Sequence, residues 1–172
     1  MESIRRQGII EEVSQFISFT IGSEEYGLEM LRAREVIRMR QITWVPKAPS
    51  CLKGIINLRG DIIPIVDLRN RLGLQSVEQT DMTRVIIVEV DGRPVGMIVD
   101  SASQVVRIPA DQLDPPPPML GAAAHNFITG VGKLEDRLII TIDTDRVLSA
   151  EELNQISGYL KTAKREPAAA LA

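Results

Sequence analysis

Histidine and cysteine are almost missing from this sequence: His125 and Cys51 are single occurrences in 172 residues. A Ser-His-Asp or Cys-His arrangement therefore has one possible base. That base follows Gly121–Ala124 with no evident partner, so a loop or cap histidine is the simpler reading. Zinc sites of ordinary composition fail on the same scarcity. One cysteine cannot form an internal disulfide, which suits a reducing compartment, and Cys51 near a Pro-rich turn reads as a small hydrophobe. Aromatic residues make up 3% of the chain and the formal net charge is −3. A nucleic-acid partner, which normally requires a basic stripe and often stacking rings, is not expected. No stretch approaches the roughly 18 to 20 apolar residues of a membrane helix. The start, MESIRRQGIIEEV, has no apolar core of a secretory signal. The expectation is a cytoplasmic chain without direct membrane insertion.

Phosphate-loop and acid–base readings fare no better. Gly130-Val131-Gly132-Lys133 has Phe127 where the leading glycine belongs and Leu134 in place of the hydroxyl residue. Asp61, Asp67, Asp100 and Asp143 are the carboxylates considered for pairing. Asp67 and Asp143 stand at helix or turn starts, where a carboxylate caps free backbone N–H groups, and this accounts for them without catalysis. No catalytic residue, metal ligand or cofactor site is assigned.

What the chain does have is alternation. Hydrophobic residues make up 44% of it, and the dominant period is two. Ile17, Phe19 and Ile21 fall on one face, as do Ile86, Val88 and Val90, and then Leu138, Ile140 and Ile142. Gly22-Ser23-Glu24-Glu25 and Asp91-Gly92 mark hairpin turns. Polar Gln75–Thr83 and the run Asp114–Pro118 punctuate the chain; the four prolines at 115–118 must be extended and would stiffen the link that follows. Helical signals are short. Leu31–Arg38 reads as one to two turns, with β-branched Val36 and Ile37 already turning towards strand. Asp67–Gly73 reads as an Asp-capped turn ended by glycine. Ser149 and Glu152 form a capping box ahead of the stripe Leu153, Ile156, Leu160, so a helix over 149–164 should lie against a barrel.

The chain also repeats itself. Residues 51–72 align without a gap on 127–148: Gly54 meets Gly130, Leu58 meets Leu134, Val66 meets Ile142 and Asp67 meets Asp143, a constant offset of 76. The preceding hairpins correspond at an offset of 69, with Gly27 on Gly96 and Val36-Ile37 on Val105-Val106. Chance similarity of two apolar hairpins is the alternative; the shared glycine, turn and terminal aspartate favour duplication. Each half is too small for a strong core alone, so two barrels sharing an apolar seam are expected. The boundaries read as 1–12 for an N-terminal extension, about 13–80 and 81–150 for the two barrels within 13–160, and 165–172 for a tail. The densest unusual segment runs from Trp44 to Asp67, where Arg59 sits at a tight turn between strands that must be buried. A structural ion pair or a partner contact suits it better than solubility, and Glu35 is the plausible mate.

The run KGIINLRGDIIPIVDLR, preceded by FTIGSEEYGLEMLRAREVI and followed by VGMIVD and FITGVGKLEDRLIITID, resembles the chemotaxis coupling (adaptor) protein family CheW over residues 13–160. The resemblance implies an all-β chain of two intertwined five-stranded SH3-like barrels, with a few short helices and a C-terminal helix. It implies a non-enzymatic scaffold between the cytoplasmic tips of methyl-accepting chemoreceptors and the regulatory domain of the histidine kinase CheA, associated with receptor arrays. By position, Glu35, Val36, Asn57, Arg59 and Val105 fall on its receptor-binding groove; no kinase-contact residue is assigned. A coupling protein of another receptor–kinase pathway, for surface motility or second-messenger output, is the nearer alternative, and a small-ligand-binding barrel or hydrolase the remoter one.

Overall fold

The computed structural model describes residues 12–116 and 126–165. The expectations for His125, for the extension up to residue 11, for Pro117 and Pro118, and for most of the tail fall outside those residues. The described chain is mostly strand. β1 (Val13–Ile21), β2 (Glu24–Glu29), β3 (Ala33–Arg38), β4 (Gly54–Leu58) and β5 (Asp61–Asp67) are followed by the short helix α1 (Leu68–Arg71). β6 (Arg84–Val90), β7 (Arg93–Val99), β8 (Ser101–Pro109), β9 (Leu113–Asp114), β10 (Ile128–Leu134) and β11 (Arg137–Ile142) precede the helix α2 (Ala150–Arg165).

These strands form two SH3-like sheets, ordered β8-β1-β2-β11-β10-β9 and β3-β6-β7-β5-β4. The sheets do not divide near residue 80. The five-stranded sheet takes 33–99 and the six-stranded sheet takes what lies on either side. The reason is pairing across the repeat: β2 joins β11 in parallel and β5 joins β7 in parallel, so each hairpin completes a sheet with strands from the other half.

The duplication is reproduced strand by strand. Substituting β1, β2, β3, β4, β5 by β6, β7, β8, β10, β11, and the reverse, converts one sheet order into the other, with only the two-residue β9 left without a counterpart strand. Finer details follow. A register shift falls at Arg34 in β3 and at Ser103 in β8, equivalent positions at the offset of 69. Gly54 and Gly130 are equivalent, and a Cβ on either would come within 2.6 Å of a backbone carbonyl, Thr43 O for one and Asp114 O for the other. Asp67 and Asp143 both cap, each accepting from the N–H two residues on.

Burial divides into three cores. Phe19, Ile21, Tyr26 and Leu28 from the six-stranded sheet meet Ile86, Val88, Val90, Val95, Met97 and Val99 from the five-stranded one. Ile56, Leu58, Ile63, Ile65, Val85 and Ile87 fill the five-stranded barrel, and Phe16, Val106, Ile108 and Ile139 fill the other. A strand such as β6 thus buries both faces, Val85 and Ile87 into its own barrel, Ile86 and Val88 into the shared core. This explains an apolar run where simple alternation would leave one face polar.

The segment Leu31–Arg38 departs from the helical reading. A single 3-10 turn, Met30–Arg32, leads directly into β3. Val36 and Ile37 pair with Ile86 and Val85, and the ladder outweighs a marginal helix of one to two turns. The capping box of α2 is present: Ser149 N–H donates to Glu152 Oε1 and Glu152 N–H donates to Ser149 Oγ. Ile156 of α2 is buried in the shared core with Leu153 and Leu160 packed against it, and Arg71 holds the helix by a fork onto Glu152 at 2.9 Å.

Three carboxylates lie below their usual range. The Arg137 guanidinium lowers Glu25 against the opposing cost of burial, with help from the Ser18 hydroxyl. The Arg69 guanidinium does the same for Asp100, helped by the Gly22 N–H. At Glu152 burial is the largest effect and raises the value, but the bonds from Ser149 and Arg71 together outweigh it. A depressed carboxylate adds stability that is complete above its unfolded pKa and disappears as pH falls through the folded one. Tm should therefore hold from neutrality to about pH 5 and fall below about pH 4. Asp100→Asn should begin from a lower Tm and lose less over that acid window, as followed by calorimetry.

Candidate functional site: an open groove beside an ion pair

In the five-stranded sheet, β3 and β4 are the two edges, and the sheet curls until they meet. Arg59 donates to Glu35 across that seam, and Arg40 Nη1 donates to Asn57 O at 3.2 Å. The pair that residue chemistry suggested is therefore present, with Glu35 on strand β3 rather than at a helix end. The turn that carries Arg59 is tight: Arg59 at φ 52° and Gly60 at φ 92° are both left-handed, the geometry that joins two strands with two residues. A non-glycine residue there is strained. Asn57 offsets this by accepting the Gly60 N–H on its Oδ1 at 2.8 Å, so its side chain holds the turn that presents Arg59. The Arg59 side chain is 69% exposed and that of Glu35 33%. Such a pair contributes about 0–1 kcal/mol to stability, which leaves its charges available to a partner.

Val36 and Val105 lie on different sheets. Residues directly opposed in an antiparallel ladder share a face. Val36 opposes Ile86, and Val105 opposes Ile17. Ile86 is in the shared core and Ile17 packs against it. Both valines therefore project from the face that each sheet turns towards the other, yet they are 38% and 49% exposed. They stand on edge strands, at equivalent repeat positions just past the two bulges. The inter-sheet core stops short of them and leaves its rim open.

Three further apolar side chains join this rim, and sequence patterning did not single them out. Val13 is 42% exposed, Met30 37% and Leu31 93%. With Glu29 and Arg107 they line a depression of about 690 Å³ where the 3-10 turn passes from one sheet to the other. Leu31 opens the segment Leu31–Arg38 that reads as one to two helical turns, so its exposure had no signal in the sequence. The depression is thus apolar and flanked by the Arg107 cation and the Glu29 carboxylate, while the Glu35–Arg59 pair lies on the other face of the neighbouring edge strand β3. That composition suits a protein surface with an apolar ridge and polar flanks.

Chemistry of the enzymatic kind has little to work with. Among the described residues no group of three or more His, Cys, Asp and Glu is placed to hold a metal ion. Burial pushes the Cys51 thiol up, Glu152 adds to the effect, and a thiol so shifted is a poor nucleophile. Among the described residues no helix is long and apolar enough to cross a membrane.

Known proteins of the same build fit this arrangement. The model of the CheW-like domain matches residues 15–152. The chemotaxis protein CheW of Klebsiella aerogenes is 36% identical over 148 residues, covering 86% of this chain and 89% of that protein. The protein PilI of Pseudomonas aeruginosa is 31% identical over 147 residues, covering 86% of this chain and 79% of that one. The crystal structure of the scaffolding protein TtCheW from Thermoanaerobacter tengcongensis superposes with a TM-score of 0.72 at 34% identity, covering 81% of this chain and 94% of that chain.

Proposed function

Because the chain belongs to the CheW-like family of chemotaxis adaptors, we propose that it is a non-enzymatic cytoplasmic scaffold joining the tips of chemoreceptors to a histidine kinase. The observation that supports this reading best is the open rim. Two repeat-equivalent valines, Val36 and Val105, are exposed where the faces that meet in the shared core come to an end, and Leu31 and the Glu35–Arg59 pair are exposed on the crossing and edge strand next to Val36 in the chain. A helical hairpin tip laid into the rim would cover its apolar residues and supply affinity. Arg59 would fix register by a forked contact to a carboxylate or carbonyl of the tip. The kinase's regulatory domain would bind elsewhere on the barrels, and coupling would consist of assembly, with no covalent bond changed.

The test is co-sedimentation of the protein and kinase with receptor-containing membranes, together with kinase activity. Arg59→Ala should keep Tm within about 2 °C, because the lost ion pair is exposed. It should weaken receptor association about tenfold, the range of an interfacial arginine contact. Normal coupling by this variant would remove Arg59 from the site. The likeness to PilI supports a second reading, in which the same groove serves another receptor–kinase pathway. Pull-downs against the candidate kinases separate the two.

A further inference from the structure

The chain crosses between its two sheets twice, from β2 to β3 through Met30–Arg32 and from β7 to β8 at Asp100. Both crossings are clasped by the same device, a residue two places beyond a capping aspartate. Past Asp67, Arg69 reaches Asp100; past Asp143, Asp145 reaches Arg32. Arg69 and Asp145 are 76 positions apart, the repeat offset, and their partners Arg32 and Asp100 lie one residue from equivalence at the offset of 69, so the two clasps correspond with their charges reversed.

They are not equally firm. At the β7–β8 crossing Arg69 forks onto Asp100 at 3.0 and 2.7 Å. Asp100 also accepts the Gly22 N–H at 2.7 Å, and its own N–H donates to Thr20 O at 3.0 Å. Thr20 and Ser101 share a hydroxyl bond of 2.7 Å, and Val99 is fully buried. At the β2–β3 crossing the 3-10 turn buries no residue and has no side-chain cap. Arg32 and Asp145 meet at 2.9 Å with side chains 48% and 39% exposed. Yet this loose crossing carries Leu31, and Asp145 precedes Val147 and Leu148, which are buried in the shared core.

We propose that the Arg69–Asp100 crossing is the fixed pivot of the two sheets and that the Arg32–Asp145 pair is a releasable clasp, positioning the crossing that borders the groove. Resting on the groove reading above, an occupant that presses on Leu31 acts through Arg32 and Asp145 on the packing of Val147 and Leu148. The coupling then runs along one physical chain: groove, crossing, clasp, shared core.

Amide hydrogen exchange on the full chain tests the clasp without any partner. The reporter is the Ala33 N–H, which bonds Met30 O at the end of the 3-10 turn. Asp145→Asn and Arg32→Gln should each speed exchange over residues 30–34 by about two- to fivefold, the scale of an exposed ion pair. Amides of Gly22 and Asp100 should not change. The double exchange Arg32→Asp with Asp145→Arg should return the rate to that of the parent. Unchanged exchange in both single variants, or equal acceleration at Gly22 and Asp100, overturns the clasp. A soluble receptor-tip hairpin is the second probe, and should slow Ala33 exchange at least tenfold in the parent. If the hairpin binds and Ala33 does not slow, the coupling is overturned while the groove stands. If the hairpin does not bind, the groove reading and the coupling fall together, and the partner-free comparison still decides the clasp.

Discussion

Exchanging Val36 and Val105 together for aspartate is expected to lower affinity for the receptor tip by at least a hundredfold while the protein stays folded. The two valines are exposed in the free chain, so the carboxylates remain hydrated there and cost little beyond the poor strand propensity of aspartate, roughly 1 kcal/mol each. In the complex they would be buried against apolar ridges without partners. A desolvated carboxylate in that position costs about 2 kcal/mol or more, and two of them exceed the 2.7 kcal/mol that a hundredfold loss requires. Titration of the receptor hairpin onto the double variant, with circular dichroism as a folding control, gives the answer. Retained binding by a folded variant would move the contact away from the groove.

Phe19→Ala should act in the opposite way, by unfolding rather than by uncoupling. Phe19 is fully buried in the core between the sheets and stacks on Tyr26 with ring centroids 5.8 Å apart. Removing such a ring costs about 3–5 kcal/mol through lost transfer energy and a cavity that the surroundings fill only partly. Against a total stability of about 5–15 kcal/mol this is a large fraction. In a chain of this size Tm should fall by roughly 10 °C or more. The loss should appear in both barrels at once, since each closes one side of the shared core in which Phe19 lies. A fall of less than about 2 °C, or melting of one sheet alone, would show that the sheets do not depend on the shared core.

Much of this was legible in the residues, and the boundary of legibility has a physical cause. Hairpins are local, so alternation and turn residues locate β1–β2, β4–β5, β6–β7 and β10–β11, whereas β3, β8 and the two-residue β9 are paired only over long sequence distances and carried no such signal. The capping aspartates and the Ser149–Glu152 box are local too. The Glu35–Arg59 pair was legible because a guanidinium stands at a tight turn between strands that are themselves buried. Exchange of strands between halves was not readable from composition and period. Which hairpin joins which sheet is decided by the parallel pairings β2–β11 and β5–β7, and these depend on fit over long sequence distances. For the same reason strands from both sides of residue 80 meet in each sheet. Val36 and Val105 illustrate a subtler limit. An alternating valine on a β-strand reads as core, and only the place where the shared core ends shows it as rim. Their assignment to a groove came from resemblance, and the structure adds the faces they occupy. Arg69 and Asp145 left no separate signal, because each lies inside a segment already explained by its cap.

The two bulges, at Arg34 and Ser103, have a consequence for life at high local concentration. A straight exposed edge offers its unpaired N–H and C=O groups to any neighbouring strand and invites sheets to fuse into aggregates. β3 and β8 are the edges on one side of each sheet, and both are kinked by an extra residue that spoils such a template. On the other side β4 is bridged by Thr43 and β10 is covered by β9. Crowded copies of this chain are thereby discouraged from joining edge to edge, and association is left to side-chain surfaces, whose contacts can be made, broken and made again.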